Sequence, residues 1–147
     1  WFAGNIKDLK PTPTLDWLQH AFAPSATYIN LTDERYVRMV EPHQPGSNLL
    51  FNLAGVNNYP SIVSGSVKVK LLDGTGKSVL EQVLNVKLQP YVRTDIPVSI
   101  QLPEVLGGYV LVAEFTPENG KAVISRRFLK VGQAASYTYF NLSPISK

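Results

Sequence analysis

The chain has 147 residues, which suits one domain that buries about two-thirds of its unfolded surface without a metal ion or a disulfide. Hydrophobic residues make up 44% and charged residues 17%, a composition that excludes an intrinsically disordered chain. The formal charge is +3, from fourteen basic and eleven acidic residues spread along the sequence, so we expect no nucleic-acid partner, which would require a denser basic stripe. The absence of cysteine excludes a disulfide scaffold and a thiolate metal site, and no apolar run approaches the ~20 residues that cross a membrane.

The first residues lack any hydrophobic period. Residues 1–13 contain two prolines and are expected to be a linker or the end of a preceding domain. Because tryptophan is not a natural start residue, we expect the chain to be processed or cut from a longer one. Residues 14–132 are then a single β-sandwich domain with an N-terminal helix, and residues 133–147 are a C-terminal tail.

One short helix is predicted at residues 14–23. Leu15, Leu18 and Phe22 recur at helical spacing and form one apolar face, which we expect to be buried against the rest of the domain. Pro24 cannot continue a helix and ends it.

From about residue 26 the hydrophobic period changes to two, which is typical of strands. The pattern predicts strands at residues 26–32, 36–40, 48–56, 65–72, 79–88, 94–102, 109–116 and 122–131, with 136–141 a candidate for one more. The sequence Asp-Gly-Thr-Gly at 73–76 predicts a hairpin turn, and Pro97 predicts that its strand lies at a sheet edge or pairs on one side only at that residue. Connections this short do not allow parallel crossovers, so we predict an all-β, immunoglobulin- or fibronectin-like antiparallel β-sandwich of seven to eight strands with one short N-terminal helix.

No motif supplies a reactive centre. Residues 76–78 resemble the end of a phosphate-binding loop, but Leu71 stands where that motif needs its first glycine. Asp33 and Glu34 are adjacent in a charged loop, and neither His20 nor His43 has further ligands at a usual metal spacing. We therefore expect no catalytic residue, no metal site and no cofactor.

Aromatic residues outside the strands keep a binding role open, since sugar rings stack on Trp and Tyr side chains. The candidate stacking residues are Trp1, Tyr59 and Tyr91. The alternative is structural: the loop tyrosines cap the ends of the sandwich and Trp17 anchors the helix on it.

Several segments resemble the non-catalytic part of glycoside hydrolase family 2. Residues 18–24 (LQHAFAP) and 28–36 (YINLTDERY) resemble the join after the catalytic barrel, where a helix ending in "AFAP" leads into an immunoglobulin-like domain. Residues 46–58, the hairpin at 71–77 and the Gly-Gly-Tyr-Val-Leu stretch at 107–111 are similar to the same accessory domains.

The resemblance implies a non-catalytic structural accessory domain of a β-galactosidase-like or β-glucuronidase-like enzyme, supporting the catalytic domain or an oligomer. The two catalytic glutamates of that family lie in the barrel, and no segment here looks like the strands that carry them. The implied partners are the catalytic domain of the same parent chain and a second copy of it. The implied location is the bacterial periplasm, the cell surface or the extracellular space. The alternative is a carbohydrate-binding module that holds a polysaccharide or oligosaccharide on exposed loop aromatics.

Overall fold

The computed structural model describes residues 2–3, 10–31 and 41–140. The elements are β1 (Phe2–Ala3), β2 (Lys10–Pro11), α1 (Pro13–Ala21), β3 (Ser25–Asn30), β4 (Asn48–Asn57), β5 (Val63–Leu72), β6 (Ser78–Leu88), β7 (Thr94–Gln101), β8 (Gly107–Pro117) and β9 (Val123–Val131). The predicted strand at 36–40 and the acidic pair at 33–34 lie outside the described residues, as does Trp1.

Seven strands form two antiparallel sheets that pack face to face. One sheet has the order β3-β4-β7 and the other β6-β5-β8-β9, while the two-residue strands β1 and β2 pair separately. This confirms the predicted all-β sandwich with one short helix. The fourth strand of the sandwich, β6, pairs with β5, whereas a constant-type immunoglobulin domain places its fourth strand in the other sheet.

Alternation along the strands builds the core between the sheets. On β4, Leu49, Phe51 and Leu53 are buried, and Leu50 between them is exposed. A fully buried side chain of this kind stabilises the fold by about 1.5–3 kcal/mol. Among the described residues, Phe115 on β8 is the largest fully buried side chain.

The strand β8 is buried on both faces because the chain after β9 crosses the outer face of its sheet. Tyr139 and Phe140 pack there against a second apolar cluster of Leu72, Val110 and Val112. The prediction of a strand at 136–141 was therefore wrong for residues 136–140, since this segment packs through its side chains and pairs with no strand in the described part of the chain. Asn141 lies outside the described residues.

Three alternate residues of β9 each contact an aromatic ring from another segment. These pairs are Arg126 with Trp17, Phe128 with Tyr139, and Lys130 with Tyr137. These three contacts attach both α1 and the C-terminal segment to β9, the edge strand of the four-stranded sheet.

The predicted burial of Phe22 was wrong, because the helix ends at Ala21 and Phe22 is its C-cap, with φ −106° and ψ 16°. The Phe22 side chain is 80% exposed, since the chain has left the helical period that would have carried it onto the apolar face. Leu15 and Leu18, within the helix, are partly buried. The prediction from Pro97 is confirmed, because among the described strands β7 pairs only with β4 and lies at the edge of its sheet.

Candidate functional site

Two of the three predicted stacking residues lie in loops at the same end of the sandwich. Tyr59 is in the loop between β4 and β5 and is 45% exposed, and Tyr91 is in the loop between β6 and β7 and is 70% exposed. Strand pairing brings the two loops to one end, since Gly55 lies opposite Thr94 and Val63 lies opposite Leu88.

A buried amide holds both loops. Asn57 is 1% exposed, and its Nδ2 donates hydrogen bonds to the carbonyl oxygens of Ser61 at 2.8 Å and Leu88 at 3.0 Å. Its Oδ1 accepts the backbone N–H of Tyr59 at 2.9 Å, and its backbone oxygen accepts the N–H of Tyr91 at 2.7 Å. Asn57 therefore fixes the backbone of both tyrosines without contacting solvent itself.

Tyr91 has a backbone conformation that L-residues rarely adopt. Its φ is 58°, which costs a residue with a Cβ about 1–2 kcal/mol relative to the right-handed region. Strain of this kind persists where the surrounding structure imposes it, and it clusters at binding sites. Here the strain accompanies an exposed tyrosine side chain.

The same end exposes further apolar side chains, and we call this surface the loop end. It comprises Phe22 (80% exposed), Tyr59, Ile62 (54%), Tyr91 and Val92 (56%). The join between α1 and β3 belongs to this end because Ser25 lies opposite Asn57 and the N–H of Asn58 donates to the oxygen of Pro24 at 2.7 Å.

Sequence reasoning missed Phe22, Ile62 and Val92 as members of this surface. Phe22 follows the helical spacing of Leu15 and Leu18, so it was assigned to the helix although it lies just beyond the helix end. Ile62 and Val92 each follow a proline by two residues, and an apolar residue just after a proline-containing turn was the available signal.

Charges next to the loop end are paired. Arg93 Nε lies 2.9 Å from Asp95 Oδ1, and both side chains are more than half exposed. An exposed pair of this kind contributes about 0–1 kcal/mol, so it shapes the surface more than it stabilises the fold.

The turn at residues 73–76 is a hairpin, as predicted. Asp73 Oδ1 accepts hydrogen bonds from the Thr75 hydroxyl at 2.6 Å and from the N–H groups of Thr75 at 2.9 Å and Lys77 at 3.0 Å. These bonds, the Thr75 hydroxyl first, hold the pKa of Asp73 below its ordinary value. A carboxylate in the place where phosphate oxygens would sit is incompatible with a phosphate-binding loop.

Both histidines have structural positions. His20 Nδ1 accepts the N–H of Ile124 on β9 at 3.4 Å, and the backbone of His43 pairs with β9 through Lys130 and Gly132. Among residues 2–3, 10–31 and 41–140, no three His, Asp or Glu side chains are grouped so that they could hold a metal ion. No helix in these ranges has the length and apolar character needed to cross a bilayer.

A shallow depression of about 440 Å³ lies on the outer face of the three-stranded sheet, away from both tyrosines. Its polar lining comprises the amides of Asn30 and Asn52 and the hydroxyl of Ser99, beside Leu50 and Pro97. The described residues that line it therefore offer neutral hydrogen-bonding groups, and none of them has an ionisable side chain.

Neither a protein-family model nor a curated protein matches this chain. Among solved structures, a variant of the superoxide reductase neelaredoxin from Ignicoccus hospitalis matches at 14% identity and a TM-score of 0.54, over 88% of this chain and 100% of that chain. At this identity the likeness shows the fold alone.

A β-glucuronidase from glycoside hydrolase family 2 matches at 13% identity and a TM-score of 0.45, over 70% of this chain and 10% of that chain. The sporulation control protein Spo0M from Bacillus subtilis matches at 10% identity and a TM-score of 0.47, over 77% of this chain and 51% of that chain. Both TM-scores lie below 0.5, so neither likeness carries weight for the function.

Proposed function

We propose that this chain is a non-catalytic accessory domain of an exported glycoside hydrolase, and that it docks on the catalytic domain of the same parent chain through the loop end. The observation that carries this proposal is the group of five exposed apolar side chains gathered at one end of the sandwich. Exposed apolar clusters on a folded domain mark interaction surfaces, and tyrosine is enriched in protein interfaces. The resemblance of residues 15–132 to the accessory domains of glycoside hydrolase family 2 supplies the class of partner.

The join that carries the "AFAP" sequence supports a rigid connection. The hydroxyl of Tyr28 on β3 donates to the carbonyl oxygens of His20 at 3.0 Å and Ala21 at 3.1 Å, at the last turn of α1. This bond satisfies helix-end carbonyls and fixes the direction in which β3 leaves the helix. A fixed join would let the loop end face a neighbouring domain in one orientation.

The coding sequence around this domain tests the proposal first. We expect it to encode a catalytic barrel with two suitably placed glutamates and an export signal, consistent with a periplasmic or surface-held enzyme. A complete coding sequence without any catalytic domain would contradict the accessory role.

Hydrogen exchange on the complete enzyme tests the docking surface. We expect backbone amides at 57–62 and 89–93 to exchange more slowly in the complete enzyme than in the present chain, because docking would cover both loops. Equal exchange in the two samples would rule out the loop end as the docking surface.

A second candidate function is carbohydrate binding by Tyr59 and Tyr91. It is favoured by the buried Asn57, which fixes the backbone of both tyrosines, and by the strained φ of the exposed Tyr91. Titration with galactans, glucuronides and cell-wall glycans should then show at least millimolar binding, lost in Tyr59→Ala and Tyr91→Ala. The absence of binding to every glycan in this panel would exclude carbohydrate binding.

Substitutions at two aliphatic residues distinguish the two candidate functions. Ile62→Ser and Val92→Ser remove apolar contact area that a protein partner would use, whereas sugar stacking depends on the tyrosine rings. A loss of domain docking without a loss of sugar binding favours the accessory role, and the reverse pattern in the tyrosine variants favours carbohydrate binding.

A further inference from the structure

One side of the sandwich has its sheet edges closed. The helix α1 lies against β9, where His20 Nδ1 accepts the edge N–H of Ile124. Ser125 Oγ of β9 accepts the N–H of Ile29 on β3 at 3.1 Å, so the edges of the two sheets are joined. Covering an edge strand with a helix is a common protection against pairing with another chain.

The edge strands on the opposite side are β6 and β7, and they differ in how well they are protected against pairing with another chain. β7 has eight residues and carries Pro97, which lacks a backbone donor. β6 has eleven residues with neither proline nor glycine, and no helix or strand within the described ranges runs along its free edge. A long edge strand of this kind is a template for strand addition.

The outer face of β6 alternates apolar and polar side chains. Val79 is 44% exposed and Val83 is 56% exposed, and between them Glu81 contacts Lys68 of β5 at 3.6 Å. Asn85 and Lys87 continue the same face and are exposed. One strand therefore carries an acidic residue near one end of its outer face and a basic residue near the other.

We propose that β6 pairs antiparallel with β6 of a second copy of this chain, with the two-fold axis at Leu84, so that two four-stranded sheets become one continuous sheet. Residues directly opposite in an antiparallel pair lie on the same face and interact. In this register Glu81 lies opposite Lys87 of the second copy, and the symmetry repeats that pair.

Charge complementarity favours a second copy of this chain as the partner of β6, and it favours the register centred on Leu84. An axis moved by one residue to Val83 would instead place Glu81 opposite Asn85 and Val79 opposite Lys87. The Leu84 register also aligns Leu84 with Leu84 and Leu80 with Leu88 on the core face. A second copy satisfies this pattern because, when β6 pairs antiparallel with another β6, the acidic residue of each strand faces the basic residue of the other.

Sedimentation velocity on the chain, from micromolar to millimolar concentration, tests the dimer. We expect Glu81→Lys and Lys87→Glu each to raise the dimer dissociation constant about tenfold, because like charges would face each other twice across the interface. The double variant should return to within about threefold of wild type, because the reversed pair is again complementary. Glu118→Lys and Lys121→Glu, in the exposed turn after β8, are controls of equal charge and should leave the dissociation constant unchanged.

Hydrogen exchange locates the interface independently of the variants. Backbone amides of residues 78–88 should gain protection as the concentration rises, and those of β7 should not. A chain that stays monomeric, a dimer indifferent to Glu81→Lys, or a double variant as weak as the single ones would each overturn the proposal. The loop end is a separate surface, so a monomeric chain would leave the proposed function untouched.

Discussion

The guanidinium carbon of Arg126 lies 3.2 Å from the centroid of the Trp17 ring. Trp17 is on α1 and Arg126 is on the edge strand β9, so this contact joins the helix to the sandwich. Partial burial lowers the pKa of Arg126, although a guanidinium stays charged near neutral pH. Together with the hydrogen bonds of His20 and Tyr28, this contact holds α1 on the domain, although Phe22 just after the helix points to solvent.

Replacing Trp17 by alanine should lower the free energy of unfolding by about 1–2 kcal/mol, because a partly desolvated cation–π contact is lost. Urea denaturation measures the change. Gln19→Ala, at an exposed position of the same helix, is the matched control and should change the stability little. Equal effects of the two substitutions would mean that the stacking contributes nothing.

Asn57→Ala should be among the most destabilising polar substitutions in the chain. The side chain donates two hydrogen bonds and accepts one in a buried position, and their loss leaves backbone groups without partners, at a cost of about 2–4 kcal/mol. The neighbouring Asn58 is exposed, so Asn58→Ala should cost less than about 0.5 kcal/mol. Thermal unfolding of both variants checks the difference, and similar melting temperatures would refute the structural role of Asn57.

Asp73 gives the hairpin an acid-sensitive component. Hydrogen bonds, the Thr75 hydroxyl first, lower its pKa in the folded state relative to the unfolded chain, where it is about 4. The stability it contributes is therefore present above the unfolded pKa and is lost as the pH falls through the folded pKa. The stability difference between wild type and Asp73→Asn should shrink as the solution is acidified below about pH 4.

Thr75→Val removes the main cause of that shift and should weaken the pH dependence of wild type. Urea denaturation at a series of acidic pH values measures both variants. If the difference between wild type and Asp73→Asn stays constant with pH, ionisation of Asp73 does not contribute to stability.

Local patterns in the sequence predicted the elements that have a short-range signature. The hydrophobic alternation of β4 and the turn residues at 73–76 are of this kind, and both elements lie where expected. Contacts between distant segments could not be predicted in this way. The stacking of Trp17 on Arg126 and the bonds of Asn57 to Leu88 join residues far apart in sequence, and only the assembled sandwich brings them together. The prediction that Phe22 is buried was wrong because the spacing that marks one face of a helix holds only as far as the helix extends.

The strain at Tyr91 predicts an order of stability among its variants. Tyr91→Gly should be more stable than Tyr91→Ala by about 1 kcal/mol, because glycine adopts a φ of 58° without the Cβ penalty that alanine retains. Both substitutions remove the same exposed ring, so the comparison isolates the backbone. Denaturant unfolding measures the difference, and equal stabilities would show that the Tyr91 backbone is unstrained.

Two buried hydroxyls beside the joined edges of β3 and β9 should respond oppositely to removal. Thr27 is 0% exposed, and its Oγ1 has no hydrogen-bond partner within the described part of the chain. Thr27→Val should therefore raise the free energy of unfolding by up to about 1 kcal/mol, since it removes an unsatisfied polar group at nearly constant volume. Ser125 Oγ, in contrast, accepts the N–H of Ile29, so Ser125→Ala should lower it by about 1–3 kcal/mol by leaving that N–H without its partner. Urea denaturation distinguishes the two cases, and a destabilised Thr27→Val variant would mean that its hydroxyl has a partner in solution, such as a buried water molecule.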